Sequence, residues 1–419
     1  MKAMKSFKAL GLALRNPQLS WMMIFGVSCG LPYILTKSPL SAWMVKEGVD
    51  LKTIGLFALV GTPYTLKFLW APLLDRYALP FLGRRRGWSF VFQILLAATL
   101  WILSSIAPAE NLTLVATLAL LISFLGASQD IVVDAFRAEA WPEQELGLAN
   151  SVHVAGYLMS IRWIGNAMAL FFADYLGWPN VFKIMAGIQL LGVIPSLLAR
   201  ESKQARPAQV PKTLLAAVIL PLKDYFTRRG AIEVLIFLVL YKLGENIASV
   251  MTVPFFLKVG FEQKVIGAVA KPVGFFAILF GGLVGGAIMV RLGTLKSLWI
   301  FGLFQGIATL FFAILVYTGP NTLALAAVIG IDNFAIGMGT AAFATFMMSR
   351  CNSAFTATQY ALLTSLMAVP ASLIGASAGY LAEALGWVGF FVFCTLIAVP
   401  GLLLLLRYPR WENESITAR

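Results

Sequence analysis

Charge, histidine and cysteine are all scarce in this chain of 419 residues. Charged residues make up 12%, about half the fraction of an ordinary soluble domain, which excludes that class. The single histidine, His153, rules out HExxH and clustered-histidine chemistry, and packing is its commoner role inside an apolar segment. With only Cys29, Cys351 and Cys394, the sequence has no CxxC pair and no disulfide framework, and no metal or other cofactor is expected.

What is abundant is apolar length. Hydrophobic residues make up 59%, and apolar segments of about 18 to 27 residues recur from Leu19 to Leu406, each able to cross a hydrocarbon layer of about 30 Å. Their boundaries predict an all-α polytopic membrane protein of twelve spans, beginning near Leu19, Lys52, Trp88, Leu112, Leu148, Pro179, Ala231, Lys264, Leu295, Asn321, Thr358 and Trp387. An even count puts both termini on one side. If that side is the cytoplasm, most of the 32 Lys and Arg fall in cytoplasmic segments. The net charge of +13 therefore reports topology in a bilayer and gives no reason to expect a nucleic-acid partner.

The organisation is bipartite. A short-lived apolar run broken by Arg15 and Pro17 makes 1–18 a retained cytoplasmic leader. Residues 19–199 form a six-span half, 200–230 a basic, proline-containing linker with an amphipathic helix around Thr213 to Leu222, 231–407 a second six-span half, and 408–419 a cytoplasmic tail. Two six-helix halves so joined outline the major facilitator architecture. A faint repeat relates DAFRAEAWPEQELGLANS, after span four, to TFMMSRCNSAFTATQYALLTS, after span ten. Glycines at GVSCG, GGLVGG and IGMG suit close helix packing, and Pro32, Pro63 and Pro254 suit kinks.

Against this background the charges inside spans are conspicuous. Lys37, Lys67, Asp130, Arg162, Lys242, Glu245, Lys271 and Asp332 would together cost on the order of 20 kcal/mol if turned to lipid, so they must face one another or water. Spans one, four, seven and ten, which line the cavity in that architecture, each carry at least one of them. Acids in a low-dielectric cavity can take up and release protons as access alternates, which makes Asp130, Glu245 and Asp332 the proton-coupling candidates. The alternative is that Asp130 pairs with Lys67, and Lys242 with Glu245 at i, i+3, as packing glue. Lys37, Lys67, Arg162, Lys242 and Lys271 are candidate contacts for anionic groups of a cargo, Tyr33, Trp70 and Trp163 for its flat apolar faces, and Gln129 and Asn333 for its polar groups. Toward the cytoplasmic mouth, Asp75, Arg76, Arg84, Arg85, Arg86, Asp134, Arg137 and Glu139 could form a latch of arginine and carboxylate pairs.

The stretches GLPYILTKSPLSAWM, DLKTIGLFALVGTPYTLKFLWAPLLDRY, FLGRRRGW, ASQDIVVDAFRAE, LYKLGE, GMGTAAFATFMM and SAFTATQYALL fall in order through both halves. Together the chain resembles the AmpG family of muropeptide permeases in the major facilitator superfamily. The resemblance implies proton-driven import of N-acetylglucosaminyl-anhydromuramyl peptides across the bacterial inner membrane for peptidoglycan recycling, and supply of the inducing signal where β-lactamase is inducible. It carries Lys67, Asp75, Arg76, Asp130, Asp134, Lys242 and Glu245 in matching motifs, with Asp332 where Glu is expected. Three positions depart from the pattern: Lys37 stands for a small residue, Leu158 for an arginine with Arg162 four residues on, and Pro370 for an arginine. Competing expectations are another anionic cargo on the same fold, such as an acyl-coenzyme A or siderophore, and a membrane-embedded cell-wall enzyme. A monomer is the expected state.

Overall fold

Glycine divides what hydropathy alone would fuse. Ile266–Thr318 is one apolar helical stretch of 53 residues, too long for a single crossing. Gly293, at φ 72° and ψ 171°, breaks it in two, a left-handed geometry that residues with a Cβ avoid. Gly386 (φ 65°, ψ 167°) does the same between the last two crossings. The computed structural model describes residues 17–201, 214–375 and 378–412. Expectations for the leader before residue 17, the linker over 202–213 (Thr213 included), the tail beyond 412 and the side chain of Pro370 lie outside the described residues.

The crossings are α1 (Pro17–Lys46), α2 (51–76), α3 (Arg84–Leu103), α4 (Leu112–Ala140), α5 (143–176) and α6 (Trp178–Leu198), then α7 (Ala231–Val259), α8 (266–292), α9 (294–318), α10 (Thr322–Ser349), α11 (described over 356–375 and 378–385) and α12 (387–407). The irregularities of α2 and α5 bear on the site. Short α and 3₁₀ pieces make up α2, with Pro63 and Pro72 near the starts of two of those pieces. A π-helical segment, Ser160–Met168, interrupts α5 between Glu143–Met159 and Ala169–Leu176. Such π segments concentrate at functional sites. Pro32 and Pro254 lie inside α1 and α7, where each removes a backbone hydrogen bond.

The halves meet where α5 packs on α8 and α10, and α11 on α2 and α4. Glycine permits near backbone contact there. A Cβ at Gly286 of α8 would lie 2.9 Å from both the Gly147 carbonyl oxygen and Leu148 Cα of α5, and Ser151 donates to the Gly282 carbonyl oxygen at 2.5 Å. At the end carrying the Arg84 to Arg86 cluster, one apolar cluster joins both halves, with Phe25, Phe136 and Trp141 beside Met289, Phe346 and Met348. The amphipathic element predicted in the linker is a helix, Leu214–Phe226, lying against the ends of α2 and α11. Gln359 of α11 pins it, donating to the Pro221 carbonyl oxygen at 3.1 Å and to Asp224 at 2.7 Å.

Candidate functional site

The arginine-bearing end is a closed polar knot. Arg85 is fully buried and forks between two carboxylates, 2.7 Å from Asp75 and 2.6 Å from Glu139. Arg84 reaches Glu139 at 3.3 Å, and Arg86 caps α6 through the carbonyl oxygens of Ser196 and Leu197. The guanidinium of Arg76 lies 5.2 Å from the Tyr77 ring. Arg84 and Arg85 pair with Glu139 across the two helical hairpins, α2–α3 and α4–α5, and these ion pairs all lie within the first half. At this end Asp75 links the halves. Its carboxylate accepts from the Ala357 N–H at 3.3 Å, the Thr358 N–H at 2.8 Å and the Thr358 hydroxyl at 2.6 Å. Those donors belong to the first turn of α11, where backbone N–H groups lack intrahelical acceptors and the helix dipole favours an anion.

One turn deeper, Lys67 is buried and lies 3.8 Å from Asp134, which also takes Arg137 at 2.7 Å. The direct Lys67 pair expected with Asp130 is therefore made with Asp134. Residues 130 and 134 share a helix face, and Lys67 meets the acid nearer the arginine end. Asp130 sits beside the Cys29 thiol, within the fields of Lys67 and Asp134.

Gln129 corrects a second expectation. It is fully buried, donates to Ser28 Oγ at 3.1 Å and Cys29 Sγ at 3.6 Å, and accepts from Gln189 at 3.1 Å. Gln93 completes the network through Ser28 at 2.9 Å and Gln189 at 2.7 Å. A side chain whose amide is consumed this way holds α1, α3, α4 and α6 together and does not face a cargo path. The same network explains why GVSCG, which matches the letters of a serine-nucleophile motif, is none: Ser28 lies inside α1 with its hydroxyl already engaged.

In the second half, Lys242 and Glu245 of α7 pair at 2.5 Å across i, i+3, as expected, and Lys242 also reaches Thr340 of α10 at 3.3 Å. Glu245 further lines a small cavity with Tyr241, Gln305 and Thr309. Asp332 is buried on α10 within the fields of both, and has no hydrogen bond or ion pair among the described residues. Asn333 donates to the Ile329 carbonyl oxygen at 3.0 Å and is half-buried next to Gly274 of α8.

The aromatic candidates divide. Tyr33 meets Tyr64 at 5.1 Å and Tyr157 at 6.3 Å between ring centroids, with Lys37 held 3.7 Å over its ring. Trp70 is anchored by a 2.9 Å hydrogen bond to Ser128. Trp163, on the π segment of α5, touches Phe275 of α8 at 5.7 Å. Arg162, Trp163 and Lys271 keep substantial exposure although they lie in spans.

A model of the Major Facilitator Superfamily matches residues 19–376. The Escherichia coli (strain K12) protein named anhydromuropeptide permease is 42% identical over 394 residues, covering 94% of this chain and 80% of that protein. The chain belongs to the major facilitator superfamily, in the AmpG family. The putative transporter AmpG 1 of Rickettsia conorii is 32% identical over 411 residues, covering 94% and 98% of the two chains. Among solved structures, the proton:xylose symporter XylE shares the fold with TM-score 0.67 at 12% identity, covering 93% and 95% of the two chains. The human organic anion transporter MFSD10 gives 0.65 at 14%, covering 93% and 99%. A member of this family is a transporter and not an enzyme, set in the inner membrane of a bacterium.

For an AmpG-family chain, the residues that sequence reasoning missed are Thr358, Gln93, Gln189 and Gln359. A signal existed for Thr358, since STAT-like SAFTATQ ahead of an apolar run reads as a helix start with unsatisfied N–H groups. Nothing in the spacing joined it to Asp75.

Proposed function

We infer that this chain imports anhydromuropeptides, sugars bearing a short acidic peptide, in symport with protons. The observation that carries the reading is its 42% identity to an anhydromuropeptide permease over nearly its whole length. The two-half fold, the closed end and the cations left inside spans support it. The charge count supports a cytoplasmic place for the arginine-bearing end, the end that this conformation holds closed.

The geometry supplies a coupling scheme. While Glu245 is ionised it holds Lys242 at 2.5 Å, and the ammonium is spent. A proton on Glu245 releases Lys242 to a cargo carboxylate, so proton and cargo load together. Asp332, buried beside them without a partner among the described residues, is a second proton carrier, and Asp130 beside Lys67 a third. Inward opening then requires Asp75 to leave the first turn of α11.

Competition in vesicles tests the cargo. Labelled anhydromuropeptide should enter and be displaced by unlabelled anhydromuropeptide, but not by acyl-coenzyme A or a catecholate siderophore. Displacement by either of those, with no muropeptide entry, would transfer the function to another anionic cargo.

A further inference from the structure

Of the five cations singled out inside the spans, three have a partner in the protein, two of them an acid. Lys67 has Asp134, Lys242 has Glu245, and Lys37 lies over the Tyr33 ring. Arg162 and Lys271 are different. Among the described residues neither has an ion pair, hydrogen bond or ring partner, and Arg162 is half-buried.

The two cations share a neighbourhood. Arg162 precedes Trp163 on the π segment Ser160–Met168 of α5, and Trp163 meets Phe275 of α8 edge-on at 5.7 Å. Lys271 lies one turn from Phe275 on the same face of α8, directly after a second π segment, Ile266–Ala270. A guanidinium one residue from Trp163 and an ammonium one turn from Phe275 are thus placed near one aromatic contact between the halves, with no anion partner among the described residues.

We propose that Arg162 and Lys271 form a two-cation subsite for the carboxylates of the cargo's peptide, resting on the muropeptide reading above. Arg162 takes one carboxylate through paired N–H donors, and Lys271 attracts a second as a point charge. The Trp163 and Phe275 rings form the apolar wall between them. The subsite reads the peptide and not the sugar, so it sets preference among muropeptides.

The test is uptake into vesicles of three probes by wild type, Arg162→Gln, Lys271→Gln and Arg162→Lys. The probes are the peptide-free disaccharide, the disaccharide with an acidic tripeptide, and the same compound with its peptide carboxylates amidated. Wild type should favour the acidic tripeptide over its amide. Each glutamine variant should lower that preference about tenfold or more, with Arg162→Lys intermediate, at unchanged Tm in detergent. An unaltered preference overturns the subsite and leaves the muropeptide function standing. An equal loss for all three probes also overturns it, because the residues would then serve transport in general. If wild type imports none of the probes, the muropeptide reading fails and the subsite falls with it.

Discussion

Asp75 and Thr358 tie the two halves together at the arginine-bearing end, one carboxylate oxygen accepting from both the N–H and the hydroxyl of the threonine. Asp75 is in turn held in place by the fully buried Arg85. Closure therefore depends on an anion set on the first turn of a helix from the opposite half. Hydrogen bonds to charged groups contribute about 1.5 to 3 kcal/mol each, and about 1.4 kcal/mol is tenfold in an equilibrium. Asp75→Asn should thus shift the balance toward the state open at this end by about tenfold or more. Distances between spin labels at Phe81 and Leu292 would show it as a growing long-distance population, whereas an unchanged distribution would remove Asp75 from the closure.

Arg85 carries a different expectation. Replacing it with Met leaves Asp75 and Glu139 buried without their shared cation, a loss of about 3 to 5 kcal/mol for a broken buried pair. The Tm in detergent should fall sharply. Adding Glu139→Gln should recover part of the loss, because one stranded charge is gone. Equal Tm values for the single and double variants would show that Glu139 does not depend on Arg85.

Most crossings were legible because each carries enough apolar length, and the span starts expected near Leu295 and Trp387 fall just after Gly293 and Gly386, whose backbone breaks were not themselves visible as a hydropathy signal. The Lys242 to Glu245 pair was legible for a local reason, since i, i+3 residues share a helix face. Lys67 with Asp134, and Asp75 with Thr358, were not, because hydropathy leaves open how neighbouring helices are rotated and how far they slide. Gln129 misled for the same reason: a polar residue beside Asp130 in a greasy helix can face a cavity or close a buried amide network, and only packing decides. The π segment of α5 left no periodic trace either.

That network gives a prediction of its own. Gln129→Leu leaves one amide N–H of Gln189 without its acceptor and removes the donor to Ser28 and Cys29, at a cost of about 1 to 3 kcal/mol for each buried group left unmade. The effect should appear as a lower Tm, with no rise in the KM for cargo of the folded fraction. A raised KM at normal Tm would return Gln129 to the cargo wall.

For the acids, Glu245→Gln fixes the carboxyl in a proton-bearing form and frees Lys242 permanently. The pH dependence of cargo binding should then weaken, and exchange of cargo across the membrane should persist while gradient-driven accumulation falls by about tenfold or more. Asp332→Asn and Asp130→Asn separate the other carriers by the same assay. Normal accumulation in all three amide variants would refute the coupling assignment.

The most direct test of proton-driven import by alternating access is uptake of labelled anhydromuropeptide into vesicles of one lipid composition, with and without an imposed inward proton gradient. The account predicts accumulation above the outside concentration only with the gradient, collapse on adding a protonophore, and recovery of chemically unaltered cargo from inside. Uptake that merely equilibrates, indifferent to the gradient, would contradict it.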